Sequence, residues 1–450
     1  MKREASDRLD QWLYQTDRKP LVLRGARQTG KTWIVRDLAH RQQRTLIEIN
    51  FERTPEMAAY FKEKNPVKIL QNLSAELGVL ISPETSLLFL DEIQAAPEVF
   101  STLRWFKEEL SALPVIATGS LLDFVLNDHE FSMPVGRIHY FYLEPMSFLE
   151  FVRSTGNEPL YETLKTVSFD DPLHEAHHQK CITLYRDYCL CGGMPEAIQK
   201  WKDTSSLAHC MTVQTDLLAT IRDDFNKYGK DSLLLRKTLR SIADQTGNKF
   251  ILSRVGEGYR AIEIKRSLTL LSMARVASPV HHAAGNGIPL GAEMNDKFFK
   301  VLFLDTGLVS SHLGLARMPS SDIEKAVFSN QGGVAEQFVG QQLRYALAPN
   351  GDPELFYWQR TGGRQGELDY LIQSGSHIIP IEVKSGASGS MKSLHQFMFE
   401  KKLKTALRFD TNNLSRLEVK VKTTQGDSVQ YTLLSAPVYL AERTLELLQR

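Results

Sequence analysis

Residues Gly25-Ala26-Arg27-Gln28-Thr29-Gly30-Lys31-Thr32 satisfy G-x-x-x-x-G-K-[ST] at every specified position. The run follows an apolar stretch, Leu21-Val22-Leu23, and leads into helix-like residues, Trp33 to Ala39. Strand, loop and helix in that order are the setting of a phosphate-binding loop, or P-loop. Its glycines let the backbone curl until the N–H groups face phosphate oxygens, and the helix N-terminus adds a partial positive charge. Lys31 is expected to place a point charge on the β- and γ-phosphates of ATP, and Thr32 to offer a hydroxyl to Mg²⁺.

A helix near residues 4–14 is expected before this loop, and a second strand over Thr45–Phe51, where β-branched residues alternate. The run Leu87-Leu88-Phe89-Leu90-Asp91-Glu92 is continuously apolar up to its acidic end. That pattern suits a central parallel strand buried on both faces. The acidic pair then falls at the carboxyl end, where open α/β sheets bind ligands. Asp91 is expected to hold Mg²⁺, mostly through water, and Glu92 to polarise the attacking water as general base.

A fourth strand is expected over Pro114–Thr118, followed by Gly119-Ser120. Thr118, then Ser120, are the candidates for touching the γ-phosphate or the attacking water, and both also suit the cap of a following helix. Arg137 opens an aromatic strand, His139 to Leu143. Two roles stand for it: a finger on a neighbouring subunit's γ-phosphate, or a structural salt bridge.

At 450 residues the chain is too long for one core. Its 42% hydrophobic and 24% charged residues are those of an ordinary globular protein. A net charge of +1 argues against a uniformly basic nucleic-acid binder and leaves room for a local basic groove. The cysteines, Cys181, Cys189, Cys191 and Cys210, contain no C-x-x-C pair, and buried reduced thiols are expected. No stretch approaches a membrane span, and the charged N-terminal residues lack the apolar core of a signal peptide. A cytoplasmic protein without a membrane partner is the expectation.

Residues 160–230 read as helices joined by short turns. Gly192-Gly193 and Pro195 suit a helix boundary, a role in the fold rather than in chemistry. His174-Glu175-Ala176-His177-His178 formally fits H-E-x-x-H, but its flanks are polar and no third ligand follows, so a solvated helix end is expected. Residues 231–310 fit a winged helix: helices over Leu233–Gln245 and near Ala261–Leu271, then a wing from Ala274–Ala277 through Asn286-Gly287 to Lys297–Leu304. Lys265 and Arg266 lie on the candidate recognition helix, which would serve either DNA contact or protein contact.

Near the C-terminus, Gly366–Ile372 and Ile378–Lys384 form an expected hairpin. Glu382 and Lys384, at i and i+2, share a face, and Asp369 meets them from the adjacent strand. Glu336, on an amphipathic helix starting near Gly333, would reach the same edge. This arrangement resembles the PD-(D/E)xK nuclease superfamily, with Gly366-Glu367 standing where Pro-Asp is usual. The resemblance implies that Glu336, Asp369 and Glu382 hold Mg²⁺ or Mn²⁺ and that Lys384 activates water.

A wider resemblance runs through the P-loop, Leu87–Gln94, Ala117–Ser120, Gly136-Arg137, Glu144–Phe151, Gly192–Glu196 and Phe303–Leu308. These segments resemble a family of prokaryotic AAA-type ATPases that carry a second region of unknown function. The resemblance implies an α/β chain: a doubly wound parallel AAA-type core over 1–155, a helical lid or linker over 156–230, a winged-helix-like region over 231–315 and a nuclease-like domain over 316–450. Two separate Mg²⁺-type sites on one chain point to ATP hydrolysis coupled to binding or metal-dependent cleavage of DNA or another nucleic acid, and a homo-oligomer is an expectation. The alternative is an ATP-dependent switch or remodeller of a protein partner, with an inactive nuclease-like domain.

Overall fold

The computed structural model describes residues 1–119, 136–225, 231–315, 332–360, 366–384 and 391–449. They form two compact units: Met1–Glu144 with Met273–Arg275 and Ala348–Gly351, and the remainder. No helix among the described residues is long and apolar enough to cross a membrane.

The first unit is built on five strands, β1 (Leu21–Arg24), β2 (Thr45–Asn50), β3 (Ser86–Asp91), β4 (Val115–Thr118) and β5 (His139–Tyr142). Every pairing is parallel and the order is β2-β3-β4-β1-β5. The continuous apolar run of β3 is explained by two cores. Leu88 and Leu90 enter one with Val22, Ile47 and Val115, while Leu87 and Phe89 enter the other with Leu21, Leu23 and Ile116. Helices Glu4–Leu13 and Lys31–Arg41 cover the second core, and helices Pro66–Leu77 and Leu103–Glu109 cover the first. The expected doubly wound sheet is thus present. Its register pairs Asn50 with Asp91 and Leu23 with Thr118, which collects these polar residues at the carboxyl edge.

The second unit begins with helices, including Phe148–Ser154, Glu175–Cys191, Pro195–Thr204, Leu207–Asp224 and Ser232–Asp244. It then forms an eight-stranded mixed sheet from β6 (Ala277–Ala283), β7 (Met294–Phe303), β8 (Leu355–Gln359), β9 (Glu367–Ser374), β10 (His377–Val383), β11 (Thr405–Asp410), β12 (Ser415–Lys422) and β13 (Ser428–Pro437). The order is β12-β13-β11-β10-β9-β8-β6-β7. The helices expected over 231–310 form at Ser232–Asp244 and Ala261–Met273, but the expected wing takes another place. Its hairpin, β6–β7, is not a free-standing flap: β6 pairs in parallel with β8, so the sheet crosses the boundary drawn at 315/316. Helix Gly332–Leu347 packs on this sheet against β7, β8 and β10.

Two motifs without assigned chemistry interlock here. The Asp305 carboxylate, fully buried, accepts from the backbone N–H groups of Gly193 (2.6 Å), Gly307 (3.0 Å) and Leu308 (3.2 Å), and from the Gln341 amide (3.0 Å). A Cβ on Gly193 would lie 2.2 Å from the Met146 carbonyl oxygen. The four cysteines are buried free thiols. His178, from the H-E-x-x-H match, is buried and bonds through Nδ1 to the Tyr439 hydroxyl (2.8 Å) and through Nε2 to the Thr411 carbonyl (3.1 Å). His174 instead caps its helix, accepting from Ala176 N–H.

Candidate functional site

The P-loop follows β1 and turns into helix Lys31–Arg41 through Gly30, whose φ of 93° is left-handed. Gly25 is required by close approach, because a Cβ there would lie 2.5 Å from the Leu143 carbonyl oxygen. Ala26 and Thr29 are buried, Arg27 is half-buried and Gln28 is exposed with a left-handed φ of 62°. Thr29 Oγ1 closes the turn by donating to the Ala26 carbonyl (2.9 Å). Arg3, invisible to motif reading, is buried behind the loop and donates to the carbonyls of Thr29 (3.1 Å) and Glu144 (2.8 Å).

The Lys31 ammonium donates to the carbonyls of Gly25 (3.0 Å) and Ala26 (2.8 Å). Burial pushes its pKa down to about 8, against the upward pull of Glu92 and Asp91. A lysine desolvated in this way gains strongly from any anion brought beside it.

Asp91 ends β3 as a hub. Its Oδ2 accepts from Thr32 Oγ1 (3.3 Å) and Asn50 Nδ2 (3.2 Å), and its Oδ1 from Glu92 N–H (3.2 Å) and Thr118 Oγ1. Burial raises its pKa, and the hydrogen bond from Thr118 is the strongest opposing influence. Thr118 thus donates to Asp91, and Ser120 lies outside the described residues. Glu92 is half-buried with a left-handed φ of 51°, an uncommon backbone state, and Gln94 Nε2 donates to its carboxylate. Thr32 and Asp91 together supply hard oxygens that fit Mg²⁺, which keeps most of its own waters. Arg137 pairs with Glu108 (2.8 Å) on the surface, where Arg104 joins the same carboxylate.

The second unit gathers the C-terminal candidates around a different centre. Lys300 projects from β7, is only 3% exposed, and was not anticipated. Its ammonium meets Glu336 (2.7 Å) from helix Gly332–Leu347, Glu367 from β9, and Asp369 (3.7 Å), also from β9. Burial works to lower the Lys300 pKa, and Glu336, Asp369 and Glu367 outweigh it and raise it. Asp369 Oδ2 accepts from Val383 N–H (2.7 Å), and Lys384 Nζ donates to Glu382 Oε1. Burial pushes Glu336 up to about 8 and, with Asp369 adding to it, Glu382 up to about 7.

The expected neighbours are brought together, but as an ion-pair network. Among the described residues no group of three or more His, Cys, Asp or Glu is arranged to hold a metal ion. Of the expected ligand set, Glu336 and Asp369 face the Lys300 ammonium, and Glu382 pairs with Lys384. A cavity of about 460 Å³ opens beside the network, lined by Asp244, Thr246, Gly333, Glu336, Asp369 and Lys384 among others.

Residues 182–318 match a family described as a domain of unknown function (DUF8612), and residues 331–434 match another (DUF4143). No curated protein matches the chain. Similar solved structures include the Aeropyrum pernix ORC1 protein in complex with DNA (13% identity, 70% of this chain and 92% of that one, TM-score 0.30). Others are the Aeropyrum pernix ORC2 protein in ADPNP–ADP complexes (13%, 75% and 93%, TM-score 0.31) and C. elegans PCH-2 (14%, 46% and 63%, TM-score 0.26). Residues 17–152 match a family described as the AAA domain, and in the structure the same stretch carries the P-loop on a five-stranded parallel sheet, the fold expected of an AAA-type P-loop core.

Proposed function

We propose that the chain hydrolyses ATP at the P-loop and uses nucleotide state to control nucleic-acid binding by its second unit. The observation that carries the first half is the meeting of Lys31, Thr32, Asp91, Thr118 and Glu92 at the carboxyl edge of one parallel sheet. The loop amides and Lys31 would hold the phosphates, with Lys31 exchanging two carbonyls for phosphate oxygens. Thr32 and Asp91 would hold Mg²⁺, which neutralises charge on the phosphates. Glu92 would take a proton from water as its oxygen bonds to the γ-phosphorus and the bond to the β–γ bridging oxygen breaks. Arg137 would add charge in trans if copies of the chain assemble.

The second half is supported by a pocket of about 540 Å³ lined by Arg222, Arg236, Lys237, Arg240 and His312, and by Asp244, which pairs with Arg240 (3.6 Å) and His312 (3.2 Å). Asp244 also lines the cavity beside the carboxylates. Four Arg and Lys side chains lining one pocket suit a phosphodiester backbone. Lys300 among the carboxylates favours binding over cleavage, and it equally supports the second reading, a protein-partner switch whose nuclease-like domain is inactive.

Phosphate release measured with and without DNA, RNA or a protein extract separates the two readings. Stimulation by DNA or RNA, lost in Arg236→Glu, supports nucleic-acid coupling; stimulation by protein alone supports the partner switch. Calorimetry with Mg²⁺–ATP should give heat in the parent and none in Lys31→Ala, and Glu92→Gln should bind without turnover. Turnover at the parental rate in Glu92→Gln refutes the hydrolytic assignment.

A further inference from the structure

The geometry points to Lys300 as a built-in cation that holds the C-terminal carboxylates in place of a divalent metal. Its removal should convert the same carboxylates into a Mn²⁺ site. This rests on the grouping of Glu336, Glu367, Asp369 and Glu382, and hydrolysis at the P-loop does not enter it.

Four carboxylates and two lysines lie together here, and each carboxylate has an oxygen facing one of the ammonium groups. The Lys300 ammonium has three N–H donors. Glu336 and Glu367 take contacts from it, Asp369 stands 3.7 Å away, and the Tyr357 ring centre is 5.4 Å off. Asp369 Oδ2 is held by Val383 N–H and Glu382 Oε1 by Lys384. Glu382 Oε2 is buried and without a hydrogen-bond partner. Mn²⁺ or Mg²⁺ needs about six oxygens at close to 2 Å. It would have to take the oxygens that Lys300 holds, beside a positive charge that repels it.

Lys300 does not yield easily. It sits within β7 between Phe299 and Val301, whose side chains are buried, and its backbone pairs with Val280 of β6. Moving the ammonium out of the cluster would leave a charge in the sheet without its carboxylates, at a large cost. A tethered cation is also present at an effective concentration that free metal in the millimolar range has to compete against. The site thus has the acids of a metal centre and an ammonium where the ion would sit.

The test counts Mn²⁺ bound to the full chain by electron paramagnetic resonance at pH 8 without nucleotide. The parent should bind no Mn²⁺ that Asp369→Asn removes. Lys300→Met should bind an additional ion per chain, tighter than the parent at this site by about tenfold or more. Adding Asp369→Asn to Lys300→Met should abolish the gain. Lys300→Gln, which keeps a polar head and a similar length, is the second variant, and circular dichroism reports folding of each. A parental Mn²⁺ site that Asp369→Asn removes overturns the proposal, as does a folded Lys300→Met or Lys300→Gln that gains no ion. If neither variant folds, the parent decides: Mn²⁺ binding that is unchanged by Asp369→Asn supports the ammonium, and binding that is lost refutes it.

Discussion

Replacing Asp305 with alanine should unfold the second unit early, because one buried carboxylate closes two motifs together. Four donors converge on it: the N–H groups of Gly193, Gly307 and Leu308, and the Gln341 amide. Alanine strands all four in a site that water does not reach. At about 1 kcal/mol each, the low end for a stranded buried donor, the loss is about 4 kcal/mol. Relief of the desolvated charge, which raises the Asp305 pKa, offsets part of this and leaves about 3 kcal/mol. At about 2 °C per kcal/mol for a unit of this size, the melting transition should fall by about 6 °C. Asp305→Asn keeps one acceptor oxygen but turns an NH₂ toward the donors, so its loss should lie between parent and Asp305→Ala. Gly193→Ala attacks the same junction through the Met146 carbonyl, and the double variant should lose less than the sum of the two. Differential scanning calorimetry of the full chain reads the four variants against the parent. A melting transition in Asp305→Ala within about 1 °C of the parent would refute the carboxylate as the fastener, given the cost of stranded donors.

Thr118→Val keeps shape and removes the hydroxyl from Asp91, so the Asp91 pKa rises further and less carboxylate is available at a given pH. The acid limb of phosphate release should move to higher pH, and half-saturating Mg²⁺ should rise about tenfold, the value of a hydrogen bond to a charged group; an unchanged pH profile with unchanged Mg²⁺ demand would sink this role. Asp187 is half-buried, and burial pushes its pKa up to about 6. Its folded value lies above its unfolded one, so folding favours the protonated form and its penalty grows from about pH 4 and is complete above about pH 6. Asp187→Asn should therefore stabilise the protein at pH 7.5 by about 1 kcal/mol, after discounting for solvent screening, and leave it unchanged at pH 4. Urea unfolding at the two pH values checks the sign, and equal gains at both would contradict it.

The nucleotide-binding core was legible because its signals are local. Leu87 to Leu90 must bury both faces, and the two cores that receive alternate residues of β3 account for the unbroken apolar run. Asp91 then follows at the edge where β1 delivers the P-loop, and spacing alone brings them together. Arg3 was hidden because its partner, Thr29, lies 26 residues away and offers only a carbonyl, which no residue type advertises.

The C-terminal network was legible only in part. Glu336, Asp369 and Glu382 were visible, Glu367 was noted only as standing where Pro-Asp is usual, and the hairpin that carries Asp369 and Glu382 formed as the alternation predicts. The missing partner sat on a strand assigned to a wing, because the parallel pairing of Val280 with Leu355 spans a stretch of chain that local pattern cannot bridge. Yet a signal was present. Phe299-Lys300-Val301-Leu302-Phe303 places a lysine inside an apolar run, and a charge buried in that way demands carboxylates from elsewhere. Acids gathered on one sheet edge also demand a cation and do not say whether it is a metal or an ammonium. The two demands answer each other, and searching for the lone charge in an apolar strand before assigning a metal would have joined β7 to the C-terminal sheet and filled its carboxylate site in one step.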